Sequence, residues 1–464
     1  MKNHEFRRHG IAVLASAALV TSLVRVDAAV AAPAGKPSGR PAAEARCEKS
    51  PLATTEVRQV ERTAQRLVAT PAVRAAGKAV EQEWREKFTA QVGPLSAQSE
   101  ARLKTSVREL LFTYAQRAAN NDPARPKVSW SESPPHEWFG DKVPGGRYAG
   151  DNPDTVYRII PLDGESSYVI RGRVGDERPA HSIFEVTDDG DRVVATDKIE
   201  LKDLVVRRDG TFTITVDPRP ANGRTNHLRT GPKTTQLFIR DTLSDWSTQT
   251  PSSLSVERVA GPGSKPRTFD QLVAETVRTA KASGTLWIDF FILRASFGTP
   301  PNVVPQPPRS AATISRSTGN YRLGDDEALV ITTRPGPSSY TGMTVQDVWT
   351  VTPDYWKHQT SLTDDQAIPN PDGTYTLVVS HRDPGVHNWV DTTGLREGTF
   401  LLRWQGASLL TGGDEPYVSS EVVKLSALPS ALPTGTEYVT PGERKKQLKD
   451  RRAGFERRIT TCGR

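Results

Sequence analysis

The sequence predicts an α+β protein, mainly β, with two tandem antiparallel β-sandwich or jelly-roll-like lobes joined by a helix. After residue 121, helical periodicity gives way to short alternating apolar runs separated by Gly, Pro and Thr, which is typical of antiparallel strands. Similar anchors recur at nearly constant spacing in the two halves of that region. One long helical pattern, residues 268–297, stands between the halves, and its apolar second half predicts burial between the lobes.

The repeat is defined by three anchors: a tyrosine, an aspartate 51 or 52 residues later, and an arginine 31 residues after that. They are Tyr157, Asp209 and Arg240 in the first copy, and Tyr321, Asp372 and Arg403 in the second. Both aspartates begin an Asp-Gly-Thr sequence, which predicts a tight turn before a strand and a structural role for the aspartate. The lobes are predicted at 122–260 and 298–430.

Helical segments flank the β region. Residues 52–121 carry three helical patterns, with Pro71 and Pro94 at the breaks and Ser96 as a start signal. An Ala, Pro and Gly rich stretch, residues 32–50, reads as a flexible leader. Residues 441–459 predict a basic C-terminal helix, with Leu448, Phe455 and Ile459 on one apolar face.

The amino terminus has the three parts of an export signal. Lys2, Arg7 and Arg8 give a positive start, residues 11–24 are apolar, and Ala29-Val30-Ala31 offers a cleavage site. No later run is apolar for long enough to predict a transmembrane helix. We therefore expect a signal peptide at residues 1–31 and a secreted or cell-envelope protein. The secretory or twin-arginine route stays open.

Two cysteines, Cys47 and Cys462, lie near the two ends of the chain. In an oxidising compartment such a pair predicts a disulfide that joins the termini. Chain-entropy models give roughly 4–5 kcal/mol for a loop of this length.

The net charge is concentrated at the C-terminus. The formal charge is +7, and residues 441–464 hold nine basic and three acidic side chains, a local charge of +6. A helix packed on the protein body explains this charge, and attraction to an anionic envelope polymer is the alternative. Without a recognisable motif, nucleic acid is not an expected partner.

Residues 339–406, which include "SLTDDQA" and "DPGVHNWVDT", closely resemble the family called domain of unknown function 1214. "DNPDTVYR" (151–158) and "GERKKQLKDRR" (443–452) are similar to other parts of that family, so the resemblance spans roughly 120–460. It implies a mostly β bacterial protein with no agreed activity. It does not explain the export signal or the helical segment.

The segment "HRDPGVHNWVDTTG" (381–394) is the densest group of polar side chains. His381, Asp383 and His387 are the candidate catalytic residues, with a metal as one reading of their spacing. In the other reading the segment is a loop with two turns, where Asp383 and Asp391 cap backbone amides and Trp389 fills the core. We predict no metal site, because an established metal motif is missing from the sequence.

A second polar group is "GDNPDT" (150–155), where Asp151, Asn152 and Asp154 provide oxygen ligands of the kind calcium prefers. An Asx turn before Pro153 explains the same residues.

Aromatic and polar residues of the second lobe complete the candidate ligand site. Trp349 and Trp404 lie in alternating strand patterns and are expected in the core. The predicted ligand-binding residues lie in less regular segments or in the 150–155 stretch: Asp151, Asn152, Asp154, Tyr355, Trp356, His358, Gln359, His387 and Asn388. Aromatic faces beside polar groups suit a sugar.

The sequence thus predicts an exported protein that binds a glycan or another small polar ligand in a cleft between the lobes, without a cofactor. One alternative is a hydrolase or lyase that uses the 381–391 segment. The other is a structural or oligomerising envelope protein, and the sequence leaves the oligomeric state open.

Overall fold

The computed structural model describes residues 49–148, 150–188, 190, 194–307, 314–406 and 415–461. The α-helices are α1 (Thr55–Val68), α2 (Pro71–Gln91), α3 (Ala97–Ala119), α4 (Phe269–Leu286), α5 (Leu428–Ala431) and α6 (Pro441–Ile459). A π-helical segment, Trp287–Ser296, continues α4, and single 3₁₀ turns span Leu201–Asp203 and Leu425–Ala427. The strands are β1 (Ser129–Ser131), β2 (His136–Trp138), β3 (Asp141–Val143), β4 (Thr155–Pro161), β5 (Ser167–Arg173), β6 (His181–Thr187), β7 (Ala195–Glu200), β8 (Thr211–Asp217), β9 (His227–Arg229), β10 (Gln236–Thr242), β11 (Ser253–Ala260), β12 (Ile314–Arg322), β13 (Glu327–Arg334), β14 (Tyr340–Gln346), β15 (Ser361–Thr363), β16 (Tyr375–Ser380), β17 (Trp389–Asp391), β18 (Glu397–Gln405) and β19 (Tyr417–Lys424).

The strands form two sandwiches of the same topology, which confirms the predicted fold class. In the first lobe, a sheet of order β1-β4-β10-β6-β7 packs on a sheet of order β11-β5-β8-β9. In the second lobe, β12-β18-β14-β15 packs on β19-β13-β16-β17. Apart from β1 and the separate hairpin β2–β3, each strand has a counterpart in the same place, including the parallel pairs β8–β9 and β16–β17.

The repeated Asp-Gly-Thr turns are the same in detail. Asp209 accepts hydrogen bonds from the backbone and hydroxyl of Thr211 at 3.0 and 2.7 Å, and Asp372 accepts the same pair from Thr374 at 3.0 and 2.7 Å. The glycines between them have φ of 81° and 80°, a backbone region that favours glycine. The structural role predicted for both aspartates is confirmed.

The strand register corrects one of the three anchors. Tyr157 pairs with Arg240, but the residue that pairs with Arg403 is Arg316, and Tyr321 pairs with Gly398. Tyr321 therefore lies five positions further along its strand than the true counterpart of Tyr157. The aromatic match arose because both strands contain a tyrosine, although at different positions in the sheet.

The helical segment begins where the sequence indicates. Thr54 and Ser96 accept hydrogen bonds from the third following amide at 3.1 Å, as N-cap residues do. The connecting helix packs on α2 and α3, and Trp84 of α2 donates to the carbonyl of Gly284 at 2.9 Å. Burial of its second half is one-sided, since Phe290 is 45% exposed.

Helix α6 docks through part of the apolar face that the sequence predicts and also through arginines, which the sequence analysis did not predict. Phe455 is buried, whereas Leu448 and Ile459 are only partly buried. The buried charged residues recur every seventh position: Arg444, Arg451 and Arg458. Each guanidinium donates to backbone carbonyls of the protein body, including those of Val386, Ser361 and Pro153.

Two of these arginines also enclose an aromatic side chain. The guanidinium carbons of Arg451 and Arg458 lie 4.2 and 4.3 Å from the ring of Trp246. Much of the positive charge of this helix is therefore bound by carbonyl groups and an aromatic ring of the protein body.

The two ends of the described chain meet. The Ser50 amide donates to the Thr460 carbonyl at 2.9 Å, and the Ser50 hydroxyl donates to the Arg458 carbonyl at 2.6 Å. The predicted signal peptide, Cys47 and Cys462 lie outside the described residues. Every described helix is too short or too polar to cross a membrane.

Candidate functional site

The two lobes meet through the outer faces of equivalent sheets. Thr242 on β10 donates to Gln405 Oε1 on β18 at 2.9 Å, and each of these residues lies two positions after the repeated arginine of its lobe. His181 Nδ1 on β6 is 3.2 Å from the same oxygen. The lobes therefore face each other through corresponding strands.

Beside this contact is a cavity of about 260 Å³. It is lined by Tyr114 and Arg117 of α3; Glu132, Tyr148 and Gly150 between β1 and β4; Tyr157 of β4; Phe238 and Arg240 of β10; Leu286, Trp287 and Phe291 of the connecting helix; Ile314 and Arg316 of β12; and Arg403 and Gln405 of β18. Both lobes and the helical layer thus contribute to the inter-lobe cleft.

The repeat places the same two positions of each lobe in this cavity. Tyr157 and Arg240 are direct partners on neighbouring strands, as are Arg316 and Arg403. Side chains alternate between the two faces of a strand, so these four point away from the sandwich cores. The first lobe therefore contributes Arg240 and Tyr157 to the cavity, and the second lobe contributes Arg403 and Arg316.

The arginines differ in how far their charge is compensated. Arg240 forms an ion pair with Glu185. Arg403 is 8% exposed and donates from Nη2 to the Gly150 carbonyl at 2.7 Å, but its buried Nη1 has no hydrogen-bond partner in the described part of the chain. Arg316 forms no side-chain hydrogen bond or ion pair with any described residue. The cavity walls, Arg403 and Arg240 together lower the pKa of Arg316.

Glu132 is the acidic member of the lining. It follows β1 and has a φ of 54°, which is unusual for a residue with a side chain. Burial raises the pKa of Glu132 to about 7, although Arg117 and the arginines of both lobes oppose the shift. Burial also raises the pKa of Tyr157 to about 12, so its hydroxyl keeps its proton at neutral pH.

Aromatic rings form the apolar part of the walls. Tyr157 and Phe238 stack at 5.8 Å between ring centroids, and Trp287 and Phe291 stack at 3.9 Å. Tyr148 packs against Trp287 at 5.0 Å. The cleft thus combines cationic groups with flat apolar surfaces, as sites for sugars and other amphipathic ligands do.

A second cavity, of about 440 Å³, adjoins the first and shares Tyr114 and Arg117 with it. Its other walls come from the end of α3, from β4 and β10, and from α4, with Gln236 and Arg278 among the polar residues.

The predicted 150–155 group is buried between the lobes but makes no wall of the main cavity apart from Gly150. Asp151 accepts from the Thr352 amide at 2.9 Å, and burial raises the pKa of Asp151 to about 7. Asn152 forms the predicted Asx turn with the amide of Asp154 at 3.2 Å.

Asp154 is fully buried and holds the two lobes together. It accepts hydrogen bonds from Tyr340 of β14 at 2.8 Å and from Trp246 at 3.0 Å. With these donors in place, the segment functions as a joint between the lobes rather than as a calcium loop.

The next two predicted residues lie against the C-terminal helix. Tyr355 and Trp356, which we expected to be exposed, are buried at 4% and 9% exposure and pack on Phe455. Their irregular local sequence does not reveal the helix that covers them, because it comes from the far end of the chain.

The side chains of His358 and Gln359 are also engaged. His358 is 3.1 Å from Asp391, and this hydrogen bond raises the pKa of the imidazole. Gln359 is buried and donates to the Trp389 carbonyl at 2.6 Å.

The 381–391 segment is a loop whose three candidate catalytic side chains lie beside three different residues, and neither ring nitrogen of His381 forms a hydrogen bond with a described residue. His381 Nε2 is 3.4 Å from Asp325, Asp383 accepts from Arg444 at 2.9 Å, and His387 Nδ1 is 3.2 Å from Asn388. The candidate catalytic residues are therefore not brought together.

The turn reading accounts for the remaining residues of this segment. Asp383 and Asp391 accept from the second following amide at 2.8 and 2.7 Å, and Trp389 is in the core. Asn388 is held by the backbone of Ile368, and with His387 it lines a crevice of only about 20 Å³. Among the described residues, no group of three His, Cys, Asp or Glu side chains is placed to hold a metal ion.

The residues that the sequence analysis missed as a site are Glu132, Arg316 and the aromatic walls. Arg240 and Arg403 were recognised, but only as markers of the repeat. The sequence signal for this site is a pair of equivalent arginines, one on the outer face of each lobe. It indicates a site only when the two sheets are known to face each other.

Comparisons with known proteins agree with the fold and leave the function open. The solved structure of an uncharacterised protein from Burkholderia cenocepacia is 25% identical and superposes with a TM-score of 0.65, covering 78% of this chain and 99% of that one. A protein from Vibrio parahaemolyticus is 12% identical with a TM-score of 0.33, covering 58% and 90%. No family model and no curated protein matches the chain, so the resemblance to domain of unknown function 1214 stays a prediction.

Proposed function

We propose that this protein binds a small anionic polar ligand, such as an acidic sugar, in the inter-lobe cleft. One observation carries the proposal: arginines from both lobes line one cavity, and Arg316 and the Nη1 of Arg403 have no partner among the described residues. Arg316 is an exposed residue, whereas the Nη1 of Arg403 is buried, and a buried cationic donor without a partner is costly. A bound oxyanion supplies that partner through charge-assisted hydrogen bonds. The aromatic walls and the adjoining cavity support a sugar.

The test is calorimetric titration with three probes that share a sugar ring: glucose, glucuronate and glucose 6-phosphate. We expect the two anions to bind and glucose to bind far more weakly. Arg316→Met removes a charged donor and should weaken anion binding about tenfold, the effect of about 1.4 kcal/mol.

The matched control is Arg322→Met, on the same strand and outside the cavity, where the side chain is 64% exposed. The affinity of this variant for glucuronate and glucose 6-phosphate should equal that of the unmodified protein. Equal binding of glucose and glucuronate, or full affinity in Arg316→Met, would contradict the proposal.

Export and the disulfide between Cys47 and Cys462 are part of the same proposal. The hydrogen bonds of Ser50 with Thr460 and Arg458 support the disulfide, because Ser50 is three positions from Cys47, and Thr460 and Arg458 are two and four positions from Cys462. Mass spectrometry of the secreted, non-reduced protein should find one peptide pair linked through these cysteines. Free thiols on both would contradict the disulfide, and retention in the cytoplasm would contradict export.

A further inference from the structure

The backbone at Glu132 is unusual. Its φ of 54° is in the left-handed region, which a residue with a Cβ adopts at a cost, and such residues are concentrated at functional sites. Ser131, the preceding residue, pairs with Tyr157 on the neighbouring strand, so Glu132 is held beside the cavity wall. The fold keeps an acidic side chain here against a local conformational preference.

Charged groups from every surrounding element act on this carboxyl. Arg117 comes from α3, Arg240 from β10 and Arg403 from β18, while Asp151 is an acid whose charge also acts on it. Tyr157 on β4 and Arg316 on β12 complete the titratable lining. The carboxyl of Glu132 forms no hydrogen bond or ion pair with any described residue, although it lies among these arginines.

An oxyanion bound by the arginines would be placed next to this carboxyl. Two like charges in one small desolvated site disfavour each other's ionised form, so one of them takes up a proton. The carboxylic acid form has one O–H donor, and a hydrogen bond from it to an anionic oxygen is short and strong.

We propose that the cleft binds its oxyanion together with one proton, which Glu132 takes from solvent and donates to the ligand as a hydrogen bond. This inference rests on the proposed function and narrows its ligand to a carboxylate or phosphate with one oxygen free to accept. The pKa of Glu132, raised by burial to about 7, brings the protonation within the neutral range. Binding then weakens as the pH rises through that range.

The experiment is titration with glucuronate at pH 7.5 in two buffers of different ionisation enthalpy, which reports protons taken up per ligand bound. We expect an uptake between zero and one proton that grows with pH, and an affinity that falls up to about tenfold per pH unit on the alkaline side. Glucuronate itself does not titrate there, whereas a phosphate ester does, near pH 6. The glucose 6-phosphate arm separates a phosphate ligand from a carboxylate.

Glu132→Gln keeps the side-chain shape and supplies a neutral N–H donor. It should bind glucuronate without proton uptake, independently of pH, and more tightly than the unmodified protein at pH 8.5. Glu137→Gln, at an exposed position on β2, is the matched control and should retain the uptake. Thermal melting confirms that both variants are folded.

The outcomes separate the two proposals. Binding without proton uptake, or a Glu132→Gln variant that retains the uptake, overturns the role of Glu132 and leaves the anion site standing. Absence of binding by both anionic probes overturns the proposed function together with this inference.

Discussion

In the first lobe the partner of the repeated arginine is Tyr157, and in the second lobe it is Arg316. The two lobes share the strand order, the parallel pair at the sheet edge and the Asp-Gly-Thr turn. The duplicated positions inside each sandwich hold the fold, whereas the outer faces have diverged where they meet. The asymmetric cleft follows from that divergence.

The same comparison explains the 381–391 loop. It connects the parallel strands β16 and β17, and its counterpart connects β8 and β9. The first-lobe loop is equally polar: Asp217 accepts from Arg219 and Arg224 at 2.9 and 2.7 Å. In both lobes the acidic side chains of this connection accept hydrogen bonds from arginines or from backbone amides, so these aspartates have a structural role in the two loops.

The largest difference between the lobes should appear at the first residue of the short parallel strand. Trp389 is 7% exposed, and its counterpart His227 is 9% exposed. Trp389→Ala should lower the free energy of unfolding by about 3–5 kcal/mol, because a large apolar side chain leaves a cavity. His227→Ala should cost only about 1–2 kcal/mol, mainly for lost hydrogen bonds. Urea denaturation measures both changes in the free energy of unfolding. Equal losses would show that the two positions contribute equally to stability.

A second difference concerns acid sensitivity. Burial of Asp217 acts to raise its pKa, but hydrogen bonds from Arg224 and Arg219 hold the pKa below its usual value. A lowered folded-state pKa contributes stability above the unfolded value, about 3.9, and that contribution is lost as the pH falls.

Asp217→Asn should therefore cost about 1–2 kcal/mol at pH 7, reduced by the exposure of the arginines, and somewhat less near pH 3, where the unfolded state has begun to bind a proton but the folded state has not. Asp326→Asn, which breaks an exposed pair with Lys424, is the control and should change nothing measurable. A loss in Asp217→Asn that is the same at both pH values would contradict the linkage.

The asymmetry of the cleft is tested by making the lobes alike. Arg316→Tyr gives the second lobe the residue of the first and should weaken glucuronate binding about tenfold, since a charged donor is lost. Tyr157→Phe removes only a hydroxyl and should change the affinity less than Arg316→Tyr does. Calorimetry compares the two, and a larger effect of Tyr157→Phe would reassign the main anion contact to the first lobe.

The smallest effect, and an equal one, is expected at the shared turns. Gly210→Ala and Gly373→Ala force alanine into positive φ and should each cost about 1 kcal/mol. Gly231→Ala is the control, because that glycine has ordinary φ and no neighbour within 4 Å of an added Cβ. Unequal losses at the two turns would indicate that the repeats fold under different constraints.

The sequence by itself determined the class of fold, the repeat, the three helices before it and the helix after it. Periodicity, N-cap residues and turn glycines are local signals, and the structure follows them at Ser96, Gly210 and Gly373. The prediction that Trp349, Trp389 and Trp404 are core residues was also correct. The strand pattern gave the right reason for Trp404, whereas Trp349 lies in a turn after β14 and packs in the helical cluster.

The tertiary structure alone decided which polar residues are partners and which remain without one. Asp383 is paired with Arg444, 61 positions away, and Tyr355 is covered by Phe455, 100 positions away. Arg240 and Arg403 are 163 positions apart and line one cavity. Hydrogen bonds, burial and charge act through space, so residues that are dense in the sequence can have separate partners, while distant residues line one cavity.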